Sequence, residues 1–291
     1  MNESKTVSVR RQKVKKGCSR LRLYTLIFLV LLLLLTAGFA EQLCPFDPNA
    51  QIFTPLAPPG DGHLCGTDRF GRDLFSRILV GLRTSLFSAL ALVAVITLTG
   101  TALGVVCGFQ GGFADSAVMR FSDICLAFPG LVFALAIAAL LNGGLQNAVL
   151  SLAVISWPKY ARIARSQTLA VKHRDYIKAA RLAGDTGLQI VVRHILPNIL
   201  GPVLVTATLD IGTMMMELAG LSFLGLGAQP PTPELGNMMS GGRSMLQIYP
   251  WVILSPGIAI LIAVMLFNLL GDGLRDYLDP KSALKSRRDF K

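Results

Sequence analysis

Leu26-Ile27-Phe28-Leu29-Val30-Leu31-Leu32-Leu33-Leu34-Leu35 is an unbroken run of ten apolar residues inside the window Leu21–Ala40. An α-helix rises about 1.5 Å per residue, so a window of this length matches the roughly 30 Å hydrocarbon core of a bilayer. Lipid offers no partner to backbone N–H and C=O groups, so a run like this satisfies them internally, as a helix. The rest of the 291-residue chain has the same character. Its residues are 52% hydrophobic and only 15% charged, against about a quarter charged in soluble domains. Disorder, collagen, coiled coil and a disulfide-dense scaffold are all excluded by that balance.

Five further windows have spanning length: Ser85–Gly108, Ile124–Leu141, Leu145–Ala164, Ile199–Phe223 and Trp251–Gly271. The expected fold is an all-α integral membrane protein with about six transmembrane helices. Only Asn142-Gly143-Gly144 separates the third window from the fourth, which predicts a tight helical hairpin. The fifth is the least apolar because it contains Asp210 and Glu217. The resulting map is a basic tail (1–20), a first span (21–40), an outer loop with an amphipathic surface segment (41–84), a core (85–271) and a second tail (272–291).

Charge orients this map. With the N-terminus inside, 23 of the 28 Lys and Arg residues fall in inside segments, so both termini are expected in the cytoplasm. The outside minority is Arg69, Arg72, Arg77, Arg83 and Arg243. The four before the second span predict an amphipathic helix on the outer surface. A cleaved signal peptide over residues 1–40 is the competing reading. The apolar stretch is longer than the 7–15 residues such signals use.

The five cysteines have no metal-ligand spacing. Cys107 and Cys125 fall at span ends as small apolar residues, and Cys18 lies in the basic tail. Cys44 and Cys65 share the outer loop, where a disulfide between them could form. The proline-rich segment between them suits an extended, hydrated connection. The phosphate-loop pattern G-x-x-x-x-G-K-[ST], H-E-x-x-H and G-x-S-x-G are all absent. His63, His173 and His194 are scattered along the chain. No catalytic residue, metal site or cofactor is therefore assigned.

The inside loop from Arg165 to Pro197 is more informative. Helix formers run through Tyr176-Ile177-Lys178-Ala179-Ala180-Arg181-Leu182-Ala183 to Gly184, which reads as a helix C-cap. Pro197 then fits the first turn of the fifth span. A solvated surface helix is one reading. The other is a small-residue helix (Ala179, Ala180, Ala183) seated in another protein's groove. Ala179-Ala180, Gly184 and, twelve residues on, Leu196-Pro197 resemble the signature loop of permease subunits in bacterial ABC importers. The resemblance implies a cytoplasmic coupling helix between the fourth and fifth spans, carried by Lys178, Ala179, Ala180, Gly184, Leu196 and Pro197. Lys178 departs from the glutamate usual at that place, which removes any ion pair the glutamate would make.

Three other stretches narrow the branch. They are Gly66–Arg77 with Gly81–Leu86, Ser222-Phe223-Leu224-Gly225-Leu226-Gly227, and Asn268–Pro280. They resemble the second (C-type) permease of dipeptide, oligopeptide and nickel systems. Such a chain is a pore subunit with no ATP site of its own. The implied partners are a homologous second permease, two ATPase subunits that bind ATP, and an extracytoplasmic binding protein. The implied location is the bacterial inner membrane.

Asp210 and Glu217, seven apart, fall on nearly one helical face with Met214 between them. Ionisable groups at membrane depth face a cavity or a partner, so these three are candidates to line the translocation path. Leu209–Gly220 is more similar to the nickel branch, although a peptide's amino group would suit a carboxylate equally well. Gly100, Gly104 and Gly108 form a small-residue row on the second span that permits close helix packing. A proton-coupled secondary transporter using Asp210 and Glu217 is the rival mechanism. A membrane scaffold without a path leaves the acids unexplained.

Overall fold

The computed structural model describes residues 2–60 and 62–278, with side chains from Arg20 onward. The side chains of the N-terminal tail, Cys18 included, and the second tail from Asp279-Pro280 lie outside the described residues. In chain order the helices are α1 (Asn2–Gly38), α2 (Ala40–Leu43), α3 (Leu74–Gln110), α4 (Gly112–Ala127), α5 (Gly130–Leu140) and α6 (Leu145–Lys172). There follow α7 (Asp175–Leu182), α8 (Gly187–Ile190), α9 (Leu196–Phe223), α10 (Leu235–Gly242) and α11 (Trp251–Leu278). Two β-bridges are isolated, and no strand forms among the described residues.

All six expected spans are helical, but they are not equal. Four helical rods are long and apolar enough to cross a membrane unaided: Arg20–Gly38, Leu74–Gln110, Gly187–Phe223 and Trp251–Leu278. The third expected span is broken into α4 and α5, which meet at 92°. Pro129 causes the break, because the residue before a proline is pushed out of the helical region and Phe128 is extended at φ −104°, ψ 150°. The hairpin after α5 forms as expected. Asn142, Gly143 and Gly144 all take positive φ and reverse the chain into α6.

α6 is the polar helix of the set, and its charges have partners. Lys159 pairs with Asp210 of α9, Arg162 with Asp123 of α4, and Arg165 with Asp115 of α4 through two bonds of 2.5 and 2.7 Å. It runs on to Lys172, so residues 165–172 continue the rod where a loop was expected. Against α3 it packs backbone to backbone. A Cβ on Gly100 would come 2.5 Å from the Trp157 carbonyl, one on Gly108 2.9 Å from Thr168 Cβ, and one on Gly104 would strike the Ala161 backbone. The glycine row is thus a helix seam.

α9 continues α8 through a π-helical turn at Val191–Ile195. Pro197 lacks an N–H and its ring crowds the carbonyl four residues back, and a wider turn just before it relieves both. α1 buries a stripe (Leu23, Leu26, Val30, Ala37) and leaves Phe28, Leu31, Leu32 and Leu35 exposed, as a lipid-facing helix must. Leu23 and Leu26 lie beside Gly273 of α11.

Among the described residues no separate amphipathic helix of the expected kind precedes α3, and Arg77 and Arg83 lie within α3 itself. Residues 44–73 instead form an irregular cap folded over one end of α3. Asp68 accepts from the Phe70 and Arg72 amides at 2.8 and 3.0 Å, and Gly71 follows at φ +70°, its α-carbon against the Phe53 carbonyl. A helix cannot pass through that turn. Asp73 restarts the helix by accepting from the amide and hydroxyl of Ser76 at 2.8 and 2.7 Å, while its other oxygen lies 2.9 Å from His63 Nδ1. Arg77, on α3, donates to the Pro48 carbonyl at 2.9 Å and to Asn49 at 3.1 Å, which ties the cap down. Phe46, Phe53 and His63 cluster beneath it.

Candidate functional site

The end of the molecule opposite the cap carries α7. Asp175 in its first turn and Arg181 in its last both suit the helix dipole. Ile177 and Ala180 are buried in a small core of their own with Val105, Ala164, Ile190, Ile195 and Ile199. Phe109 of α3 packs on that core, and the charges of Lys172 and Arg181 each lie 5.8 Å from its ring.

The helix closes in a Schellman motif. The Asp185 amide donates to the Ala180 carbonyl and the Gly184 amide to the Arg181 carbonyl, both at 3.1 Å. Gly184 takes φ +96°, the left-handed conformation that a side chain resists. Asp185 then reaches His194 at 3.1 Å and ties the turn to the root of α9.

Of the six residues the signature loop singled out, Lys178, Ala179, Gly184 and Pro197 are exposed, while Ala180 is buried and Leu196 half-buried. Ala180 therefore anchors the helix to its own subunit, and the outward face is Lys178, Ala179 and Ala183. Large apolar residues stand open around it: Leu182 is 90% exposed and Leu188 75%.

The membrane-depth acids separate in the structure. Asp210, halfway along α9, is buried, and accepts from Lys159 Nζ at 2.6 Å and from the Tyr160 hydroxyl at 2.9 Å. Met214 is buried in the main core with Leu86, Leu92 and Leu218. Neither is open to a path. Glu217 is half-buried and has no hydrogen-bond partner among the described residues, and Thr213 and Met216 beside it are exposed. Lys159, inside the fourth window, is a site residue that the sequence pattern alone did not single out. The signal was present: a cation inside an apolar window requires an opposite charge at similar depth, and Asp210 is one.

The expected bridge between Cys44 and Cys65 is not formed; both are free thiols. Cys44 closes α2 and donates to the Ala40 carbonyl at 3.0 Å, with the Ser76 carbonyl at 3.4 Å. Cys65 is half-buried and packs against the main core. Burial pushes both thiols above their ordinary pKa, and the Asp73 carboxylate adds to the shift in each.

Comparison with known proteins agrees with this geometry. Residues 100–283 match the family described as binding-protein-dependent transport system inner membrane component. The dipeptide transport system permease protein of Haemophilus influenzae is 42% identical over 263 residues, 88% of this chain and 89% of that protein. The probable D,D-dipeptide transport system permease protein of Escherichia coli K12 is 44% identical, over 88% of this chain and 87% of its own length. The glutathione transport system permease protein of Pectobacterium atrosepticum is also 44% identical, over 87% and 84%. A solved inward-facing structure of the MetNI methionine ABC transporter aligns with a TM-score of 0.57 at 22% identity, over 71% of this chain and 98% of that one. At that identity the likeness concerns the fold alone.

Proposed function

The chain belongs to the family of binding-protein-dependent transport system inner membrane components, and from that premise we propose that it forms half of the translocation pore of an ATP-driven importer of short peptides. It is a multi-pass permease subunit of an ABC importer and not an enzyme. The observation that carries the peptide cargo is the 42–44% identity, over nearly nine-tenths of the chain, to permeases named for dipeptides and glutathione.

The remaining assignments rest on membership of that family. A homologous permease completes the pore, two ATPase subunits bind the ATP, and a binding protein delivers cargo from outside. The termini and α7 lie on the cytoplasmic side, where most of the Lys and Arg residues fall. α7 is the coupling helix. Its buried face fixes it to α3 and α9, and its open face with Leu182 and Leu188 offers an ATPase an apolar seat.

The resemblance of Leu209–Gly220 to nickel permeases carries less weight once Asp210 is paired and Met214 packed, since only Glu217 remains as an open ligand. A proton-coupled mechanism through Asp210 meets the same difficulty, because a carboxylate held by Lys159 and Tyr160 is poorly placed to exchange protons with a path. The test is uptake of radiolabelled dialanine and of nickel in cells lacking the gene and in cells with it restored. Gene-dependent dialanine uptake that excess dipeptide suppresses is the expected result. Gene-dependent nickel uptake that dipeptide leaves untouched would overturn the peptide assignment.

A further inference from the structure

At membrane depth a charged group without a partner is costly, so each such group has a solvated space or an opposite charge to face. Asp210 needs nothing outside the subunit, since Lys159 and Tyr160 satisfy it. Lys159 is not exhausted by this contact. An ammonium has three donors, and beyond its bond to Asp210 this side chain is 50% exposed, with no second acceptor among the described residues. Glu217 stands two turns further along α9, on nearly the same face, as a carboxylate with no partner among the described residues. The open margin where α6 meets α9 therefore presents the half-exposed ammonium of Lys159 at one level and the Glu217 carboxylate at the next, with the exposed hydroxyl-bearing Thr213 between them.

We propose that Lys159 and Glu217 form a two-ended charge pair lining the path, Lys159 receiving the carboxylate end and Glu217 the ammonium end of a short peptide in transit. The inference rests on the peptide reading above and adds the residues and the feature of the cargo they read, two free termini. Spacing supports it. Seven residues of helix separate the levels of Asp210 and Glu217 by about 10 Å, and side chains lean toward the helix N-terminus, which brings the Glu217 carboxylate back toward Lys159. An extended peptide of two or three residues spans about 7 to 10 Å. Single amino acids are too short to bridge the two charges, and peptides blocked at either end lose one contact.

The test uses the complete assembly (both permeases, ATPases and binding protein) in liposomes, with radiolabelled dialanine as the probe. In Glu217→Gln the number of peptides moved per ATP hydrolysed should fall about tenfold, the worth of one charged hydrogen bond, and Glu217→Asp should recover part of the loss. As a second readout, Glu217→Cys in the assembled transporter should react with a water-soluble cationic thiosulfonate, more slowly during dialanine transport, with the parent protein as control. An unchanged peptide-to-ATP ratio in Glu217→Gln overturns the proposal. So does a cysteine at 217 that stays inert in the assembly, since Glu217 would then be sealed against the partner permease. If the parent assembly moves no dialanine at all, the peptide reading fails first; parent transport with a normal Glu217→Gln ratio defeats the charge pair alone.

Discussion

The two ends of the molecule are built from similar material and solved in opposite ways. Residues 44–73 and residues 173–195 are both connections between spans, and both carry acids, arginines and histidine, one in the first and two in the second. The cap turns most of its charges inward, with Asp47 and Arg69 left exposed. Asp68, Arg72, Asp73 and Arg77 are all under 9% exposed, and each is matched by an amide, a carbonyl or an opposite charge. The α7 region turns its apolar residues outward and keeps only a small interior around Ile177. A connection whose polar groups are satisfied internally is complete as it stands. The cap also leaves Ile52 and Leu64 74% and 72% exposed, so what sets the α7 region apart is a regular helix face, flanked by Leu182 and Leu188, that another protein can cover.

This contrast can be broken by substitution. Gly184→Arg should abolish dialanine uptake while immunoblots find normal amounts of protein in the membrane. The side chain forces a left-handed position at a turn that has no role in burying the core. Surviving uptake would remove α7 from the mechanism and with it one side of the comparison. Lys159→Met should destabilise the purified subunit by about 3 kcal/mol, the low end for a broken buried pair because the lysine is half exposed. Thermal unfolding in detergent reads this, and adding Asp210→Leu to the same protein should restore most of the loss.

On the cap's side of the molecule, Glu234→Gln should cost about 1–2 kcal/mol by the same assay, because the carboxylate caps α10 through the Gly236 and Asn237 amides and accepts from Ser85 of α3. An effect below about 0.5 kcal/mol would mean that this end is looser than its hydrogen bonds imply. The smallest effect is chemical. Cys44 and Cys65 should alkylate without prior reduction, but slowly at neutral pH. Their raised pKa leaves little thiolate, so the rate should climb as pH rises toward the ordinary thiol pKa and beyond. Alkylation that required a reductant would restore the bridge.

Much of the fold was legible because it is periodic. Apolar runs marked every rod, Gly143-Gly144 marked the hairpin, and Gly184 and Pro197 punctuated the α7 region where the structure has them. Most of what the sequence hid is pairing across distance. Lys159 and Asp210 lie fifty-one residues apart, and Arg165 and Asp115 fifty, and nothing in either local pattern names its mate. The cap was misread for a different reason. Spaced arginines suggested an amphipathic helix, whereas Asp68 and Gly71 already spelled a turn, and that local signal should have outweighed the charge pattern. The site was half legible: the helix now seen as α7 was visible, but Glu217 could be told from Asp210 and Met214 only after their neighbours were known.

The seam between α3 and α6 has a mechanical consequence. Where Gly100 and Gly104 meet α6, backbone lies against backbone, and at Gly108 only the short Thr168 side chain and the Arg165 carbonyl stand opposite, which leaves little to slide or compress. The two helices are thereby joined into one stiff beam. α3 alone, at 37 residues, is about 55 Å long. The beam carries the cap at one tip, through Asp73 and Arg77, and α7 at the other, through Phe109. A stiff beam does not absorb a push at its end; it pivots. A modest tilt imposed at α7 therefore arrives at the far face of the membrane as a lever stroke, and the cap moves with it as a single piece.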